Sequence, residues 1–204
     1  MLSGAFFGII IFMKLYLLSC QSIRSHDQRI LPLLPAQRRL AYARTHSDLT
    51  LGAGLLLASV LHVHSDEDLV FGPQGKPFLA GNRPEFSLSH SGTHVLLGVS
   101  DAPIGVDMGR ADRRISESVQ RRICLPQEQG LDPLTVFTRK ECAMKLTGLG
   151  FSLPLQEIDT TRDFIWQNEP YRFFTTEREG YRLSVLTAEE AFPEIQLLAP
   201  EDLL

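Results

Sequence analysis

Two acidic side chains in this 204-residue chain stand where packing alone does not account for them. Asp107 lies in the apolar run Ile104 to Met108, reached through Asp101, Ala102 and Pro103. Read as a strand, that run puts Ile104, Val106 and Met108 on one face and Gly105, Asp107 and Gly109 on the other. Asp and Gly are disfavoured inside strands, so a carboxylate between two glycines marks a place that something else approaches closely. An aspartate at a strand end facing water is the plainer alternative. Glu141 is the second. In Pro133 to Thr147, a helical period puts Leu134, Phe137, Glu141, Met144 and Lys145 on one face. Glu141 interrupts that apolar stripe, and a buried carboxylate is costly unless a cation or a metal pairs with it. Lys145, one turn on, is its ordinary structural partner.

Other residues carry weaker chemical signals. In Gly75-Lys76-Pro77, Gly and Pro fix the backbone while Lys76 projects, which also describes a simple turn. Ser89 and His90 suggest a nucleophile and base, yet sequence neighbours are rarely oriented for that transfer and no GxSxG elbow is present. His90 and His94 are four apart, but Gly92 between them and the β run after them argue against a zinc-binding helix, and an HExxH glutamate is missing. His62, His64, Asp66, Glu67 and Asp68 have metal-ligand types in a spacing that matches no ligand pattern, and read as a polar turn. Arg38, Arg39 and Arg44 lie on an expected helix, Ala36 to Thr45, as a solvated face or as phosphate contacts.

The elements that must hold these residues follow from local patterns. Met13 to Cys20 reads as a first strand, and Gln21 to Pro35 as a polar segment. Asp48 is the expected cap of an apolar helix, Leu49 to Leu61, in which Gly52 and Gly54 imply close packing against a neighbour. Phe71 to Pro84 reads as loop and turn. Phe86 to Ser89 and Val95 to Ser100 read as strands separated by His90, Ser91 and Gly92. Arg110 to Ile123 reads as an Arg-rich amphipathic helix. Asp132 and Pro133 start the helix Pro133 to Thr147, and Gly148 stops it. Beyond Phe151 the chain reads as strands at Leu155 to Ile158, Phe164 to Trp166, Tyr171 to Thr175 and Tyr181 to Leu186. Ala191 to Leu204 is read as an extended or partly helical tail.

Composition bounds the class. With 44% hydrophobic and 22% charged residues and a net charge of -4, the chain is long enough for one domain or two small packed halves, and has no general attraction to nucleic acid. Cys20, Cys124 and Cys142 form neither a disulfide framework nor a zinc ribbon, so a reducing compartment is the simpler expectation. The apolar stretch Met1 to Leu18 is interrupted by Lys14 and has no positive n-region. Residues 1–12 are therefore read as an upstream extension before Met13, with no membrane expected. Leu17 to Cys20 also loosely resembles a lipoprotein cleavage site.

Taken together, GKP at 75–77, FSLSHSG at 86–92, IGVDM at 104–108 and FTRKECAMKLTGLGF at 137–151 resemble the 4'-phosphopantetheinyl transferases of the surfactin-synthetase-activating type. The resemblance implies an α+β pseudo-dimer, with an N-terminal half at 13–100, a C-terminal half at 101–204 and the active site between them. It implies transfer of the phosphopantetheine arm of coenzyme A to a serine of an acyl or peptidyl carrier protein, with Mg²⁺ and release of 3',5'-ADP, by a cytoplasmic monomer. By the same resemblance Asp107 and Glu141 are metal ligands, Glu141 the general base, and Lys145 the stabiliser of the leaving group. Lys140 completes the KExxxK motif and counts among the residues that bind coenzyme A; Lys76, Ser89 and His90 contact its phosphates, and Arg38 or Arg39 lies at its 3'-phosphate. The chain departs from the pattern at Gly109, where a second strand carboxylate is common, at Leu49, where an arginine is common, and at Phe137, which replaces a tryptophan. A non-catalytic protein that binds coenzyme A or a carrier is the alternative those departures allow.

Overall fold

The computed structural model describes residues 13–204, so the upstream extension expected at residues 1–12 lies outside the described residues. In chain order the elements are β1 (Met13–Ser19), α1 (Asp27–Ile30), α2 (Ala36–Thr45), α3 (Asp48–Leu61), β2 (Leu69–Phe71), β3 (Pro77–Leu79), β4 (Glu85–Ser91), β5 (His94–Ser100), β6 (Gly105–Arg110), α4 (Glu117–Ile123), α5 (Pro133–Thr147), β7 (Phe164–Trp166), β8 (Glu169–Arg178), β9 (Tyr181–Thr187) and β10 (Ile195–Leu198). The architecture is mixed α+β. One sheet has the order β10-β1-β5-β4, a second the order β6-β9-β8-β7, and β2 and β3 form a separate hairpin. Among the described residues no helix is long and apolar enough to cross a membrane.

Strand alternation sets the layers. Leu15, Leu17 and Leu96 of the first sheet meet Val106, Met108, Leu183 and Val185 of the second in a core between the sheets. The opposite face of the first sheet is covered by α3, whose Leu51, Leu55 and Leu56 pack with Leu18, Val95 and Leu97. The glycines of α3 lie under side chains: a Cβ at Gly52 would strike Cys20 Sγ, and one at Gly54 would crowd Leu34. On the second sheet, Cys142, Ala143 and Leu146 of α5 pack with Tyr171 and Leu186.

The face of β6 that carries Gly105, Asp107 and Gly109 lies under α5. A Cβ on Gly105 would overlap the carbonyl oxygen of Cys142, and one on Gly109 would come within 3.0 Å of Leu134 Cδ1. Gly105 thus admits the helix backbone, and Gly109 a helix side chain, to within touching distance of the strand. β6 lies beside β4 without ladder bonds to it. Val106 N donates to Ser87 Oγ at 3.1 Å and Met108 N to Ser89 Oγ at 3.3 Å, so alternate serines of β4 bridge the two sheets.

Several expectations need correction. β6 runs on through Arg110, and the helix expected over 110–123 begins at Glu117, because a turn holds Arg113 N against Arg110 O. The cap of α3 is Ser47, whose hydroxyl accepts from Thr50 N at 3.3 Å, and Asp48 is already helical. The stretch read as loop over 71–84 contains the turn and β3 of a hairpin whose first strand, β2, starts at Leu69. Leu155–Glu157 is a 3-10 turn and not a strand. The tail is extended and then partly helical, as expected, and its extended part, β10, lies parallel to β1, with Leu15 opposite Ile195. Gly105→Ala is expected to lower stability by ~3 kcal/mol, because the added methyl must push helix and strand apart. A denaturation midpoint equal to that of the wild type would mean that α5 and β6 are not so tightly apposed.

Candidate active site

Helix α5 is positioned by signals at both ends. Asp132 accepts from Thr135 N at 2.9 Å, and Gly148, with φ of 69°, closes the helix by donating to Met144 O at 3.0 Å. Between these caps, Glu141, Met144 and Lys145 turn towards a cavity of about 270 Å³. The hairpin turn at Gln74 to Pro77, residues Phe86 to Leu88 of β4, Gly148 and Gly150 form the rest of its wall.

Asp107 lies at the base of this group. Its Oδ1 accepts from Lys145 Nζ and from Ser89 Oγ, both at 2.7 Å. Lys145 therefore pairs with the strand carboxylate, and not with Glu141 as a helix-only argument suggests. Glu141 accepts no hydrogen bond among the described residues. Burial, with the negative charge of Asp107, holds its carboxyl above the usual range, against the opposing pull of Lys145 and Arg113. The two carboxylates, contributed by a strand and a helix, are thus close enough to feel each other. Lys76 completes the wall. Its Nζ donates to Leu146 O at 3.0 Å and lies 4.9 Å from the centre of the Phe78 ring. Burial lowers its pKa, with Glu85 partly opposing.

Other expected residues lie elsewhere. Lys140 is a correction: it is 1% exposed and pairs with Glu128 at 3.0 Å on another side of α5, so it cannot serve as a coenzyme contact. Residues adjacent on a helix do not share a face, which separates Lys140 from Glu141. Glu128 also accepts from Leu125 N, Thr160 N and Thr160 Oγ1, making this pair an anchor for the loop before α5. His90 is exposed on β4 and has no hydrogen bond or ion pair to the cluster among the described residues. Arg39 donates to Leu34 O at 2.6 Å. It is Arg38 that lines a second cavity, of about 220 Å³, with Asp66, Leu69 and Phe71. The β2–β3 hairpin contributes to both cavities. The polar turn at 62–68 is built by Asp68, which accepts from His64 N and Ser65 N.

Sequence reasoning missed Ser87 and the Glu128–Lys140 pair. Ser87, Ser89 and Ser91 at alternate positions were the available signal for a polar strand face; nothing local announces Glu128 as a partner 12 residues from Lys140. No protein-family model matches the chain, and a search of curated proteins finds no match.

Lys140→Ala is expected to cost about 3–5 kcal/mol in urea unfolding, because Glu128 stays buried without its cation. Burial alone would raise the Glu128 pKa, but its hydrogen bonds outweigh burial and lower it from 4.5. Its contribution to stability is then present above that value and is lost as pH falls through the lower folded pKa. Glu128→Gln should flatten this part of the acid-unfolding profile; an unchanged slope would remove Glu128 from it.

Proposed function

We propose that this chain is a 4'-phosphopantetheinyl transferase that moves the phosphopantetheine group of coenzyme A to a serine hydroxyl of an acyl or peptidyl carrier protein. One observation carries the proposal. Asp107 of β6 and Glu141 of α5 converge with Lys145 beside a cavity that Lys76 also enters. This grouping joins three of the sequence blocks that carry the resemblance, and Ser89 of the fourth holds Asp107. The two-half arrangement belongs to the same proposal: residues 13–100 and 101–204 each contribute antiparallel strands with one long helix on the outer face. Cytoplasmic action as a monomer is likewise part of it.

The donor set fits Mg²⁺. Glu141 has a carboxylate without a hydrogen-bond partner among the described residues, ionised at a cost that burial and Asp107 impose and that a divalent cation would remove. Carboxylate oxygens suit this hard ion, and two protein carboxylates plus substrate phosphates are a usual complement for it. Asp107 and Glu141 would hold the ion, which when bound neutralises charge on the diphosphate of coenzyme A. Leu134 packs over Gly109, so a second strand carboxylate there would have to push it aside.

The chain's own residues supply positioning and charge. The acceptor serine oxygen attacks the phosphorus that bears the pantetheine arm, and the bond from that phosphorus to 3',5'-ADP breaks. Glu141 takes the serine proton, directly or through water. Lys145 and Lys76 meet the charge that accumulates on the departing phosphate. Ser89 fixes the Asp107 carboxylate, so little reorganisation accompanies the transfer.

Incubation with coenzyme A, Mg²⁺ and an apo carrier protein should add one phosphopantetheine group to the carrier by mass spectrometry. Asp107→Ala and Glu141→Ala should each lower the rate by at least ~100-fold with the fold retained. Unchanged carrier mass across several carriers would contradict the transferase; if Mg²⁺-dependent coenzyme A binding persisted in calorimetry, the protein would instead be a binder of coenzyme A. Full activity in both variants would remove the site assignment.

A further inference from the structure

Arg139 is two residues from Glu141 and, at about 100° per residue, leaves α5 on nearly the opposite side. It is half-buried, and two of its three guanidinium nitrogens are taken: Nε donates to Thr175 Oγ1 of β8 at 3.0 Å, and Nη1 to Thr160 O at 2.9 Å. These bonds tie the head to a strand and to the loop before β7, so it is held in place. Nη2 has no hydrogen bond among the described residues. It is not enclosed either, since the enclosed side-chain atoms without a partner there are Arg182 Nε and Glu189 Oε1. Arg139 borders a cavity of about 230 Å³, which shares no lining residue with the one beside Glu141 and Lys145.

Arg162 and Arg172 border the same cavity, together with Asp163 and Glu190. Arg162 is held by Asp159 at 3.1 Å. Arg172 is held loosely. Asp163 stands 4.0 Å from its Nε and Glu190 3.7 Å from its Nη1, both beyond hydrogen-bond length, and both carboxylates are exposed. Arg139 has no carboxylate in contact with it among the described residues. Burial lowers its pKa, against the pull of Cys142 and Glu128, so its charge is kept at a cost that an anion in the cavity would remove.

We infer that this cavity is a binding site for inorganic phosphate, separate from the site at Glu141, with Arg139 and Arg172 as its donors. The volume is below the ~300–1,000 Å³ of pockets for drug-sized ligands, which suits a small ion. A lone carboxylate would offer Arg172 only what Asp163 and Glu190 already offer. Phosphate carries more than one negative charge at neutral pH and several acceptor oxygens, enough to take Nη2 of Arg139 and the fork of Arg172 together while the two exposed carboxylates swing aside. Because Nε and Nη1 of Arg139 are already fixed, little ordering accompanies binding.

The test is calorimetric titration of the full chain with inorganic phosphate, with the ionic strength held constant by chloride. The wild type should show a saturable phosphate site that Lys76→Ala retains, since Lys76 lies at the other cavity. Arg139→Gln should weaken that site roughly tenfold or more, as expected for the loss of a charged donor. Arg172→Ala removes a side chain that makes no hydrogen bond among the described residues. It should weaken the site as well, and it decides the matter if Arg139→Gln does not fold. Acetate at the same concentration should bind far more weakly than phosphate. Phosphate bound equally well by both arginine variants, phosphate lost only in Lys76→Ala, or acetate bound as tightly would each overturn the inference, as would a wild type that takes up no phosphate. The transferase reading stands apart from all of these outcomes.

Discussion

Gly105 leaves no room for a side chain, because the backbone of α5 passes directly over β6 at that point. The rest of the site depends on this approach. A Cβ on Gly105 would lift the helix, and Glu141 and Lys145 would then leave Asp107. Since Gly105 does not have a positive φ, the constraint is one of space and not of backbone conformation. Leu134 over Gly109 applies the same constraint about two turns earlier along the helix, so contacts at the two ends of the strand segment 105–109 set its height and angle. The serines of β4 set the other coordinate: they bind the backbone of β6 and, through Ser89, the carboxylate itself.

The helix carries two acid–base arrangements of opposite character. Lys140 and Glu128 are both buried, paired and further hydrogen-bonded, so their charges are compensated within the protein. Glu141 is next in sequence, faces a cavity and has a carboxyl pushed up by burial and by Asp107. Satisfied groups of the first kind stabilise a fold; unsatisfied ones of the second kind accompany chemistry. This contrast between neighbouring residues favours a site at Glu141 even without a third carboxylate.

Local signals made much of this legible in the sequence. Asp132, Pro133 and Gly148 delimit α5 because caps are local chemistry, and the alternation around Asp107 correctly put the glycines and the carboxylate on one face. Ala36–Thr45 was legible from its residue types, although no side chain caps its start. The Arg-rich stretch after Gly109 misled, because charge density says little about whether a strand continues. The pairing of β10 with β1 joins residues some 180 positions apart in the chain, and Ile195–Leu198 is too short to show a period. Lys145 could be assigned to Glu141 from helix spacing alone, but its true partner lies on a strand 38 residues away. Lys140 was misjudged although helical geometry already separated it from Glu141.

In the proposed function, Asp107 and Glu141 share one divalent cation with the diphosphate of coenzyme A. Electron paramagnetic resonance of Mn²⁺, used in place of Mg²⁺, measures this without requiring turnover. One bound Mn²⁺ per chain is expected, with a spectrum that changes on adding coenzyme A and an affinity reduced roughly tenfold or more in both Asp107→Asn and Glu141→Gln. Wild-type Mn²⁺ affinity in both variants would contradict it.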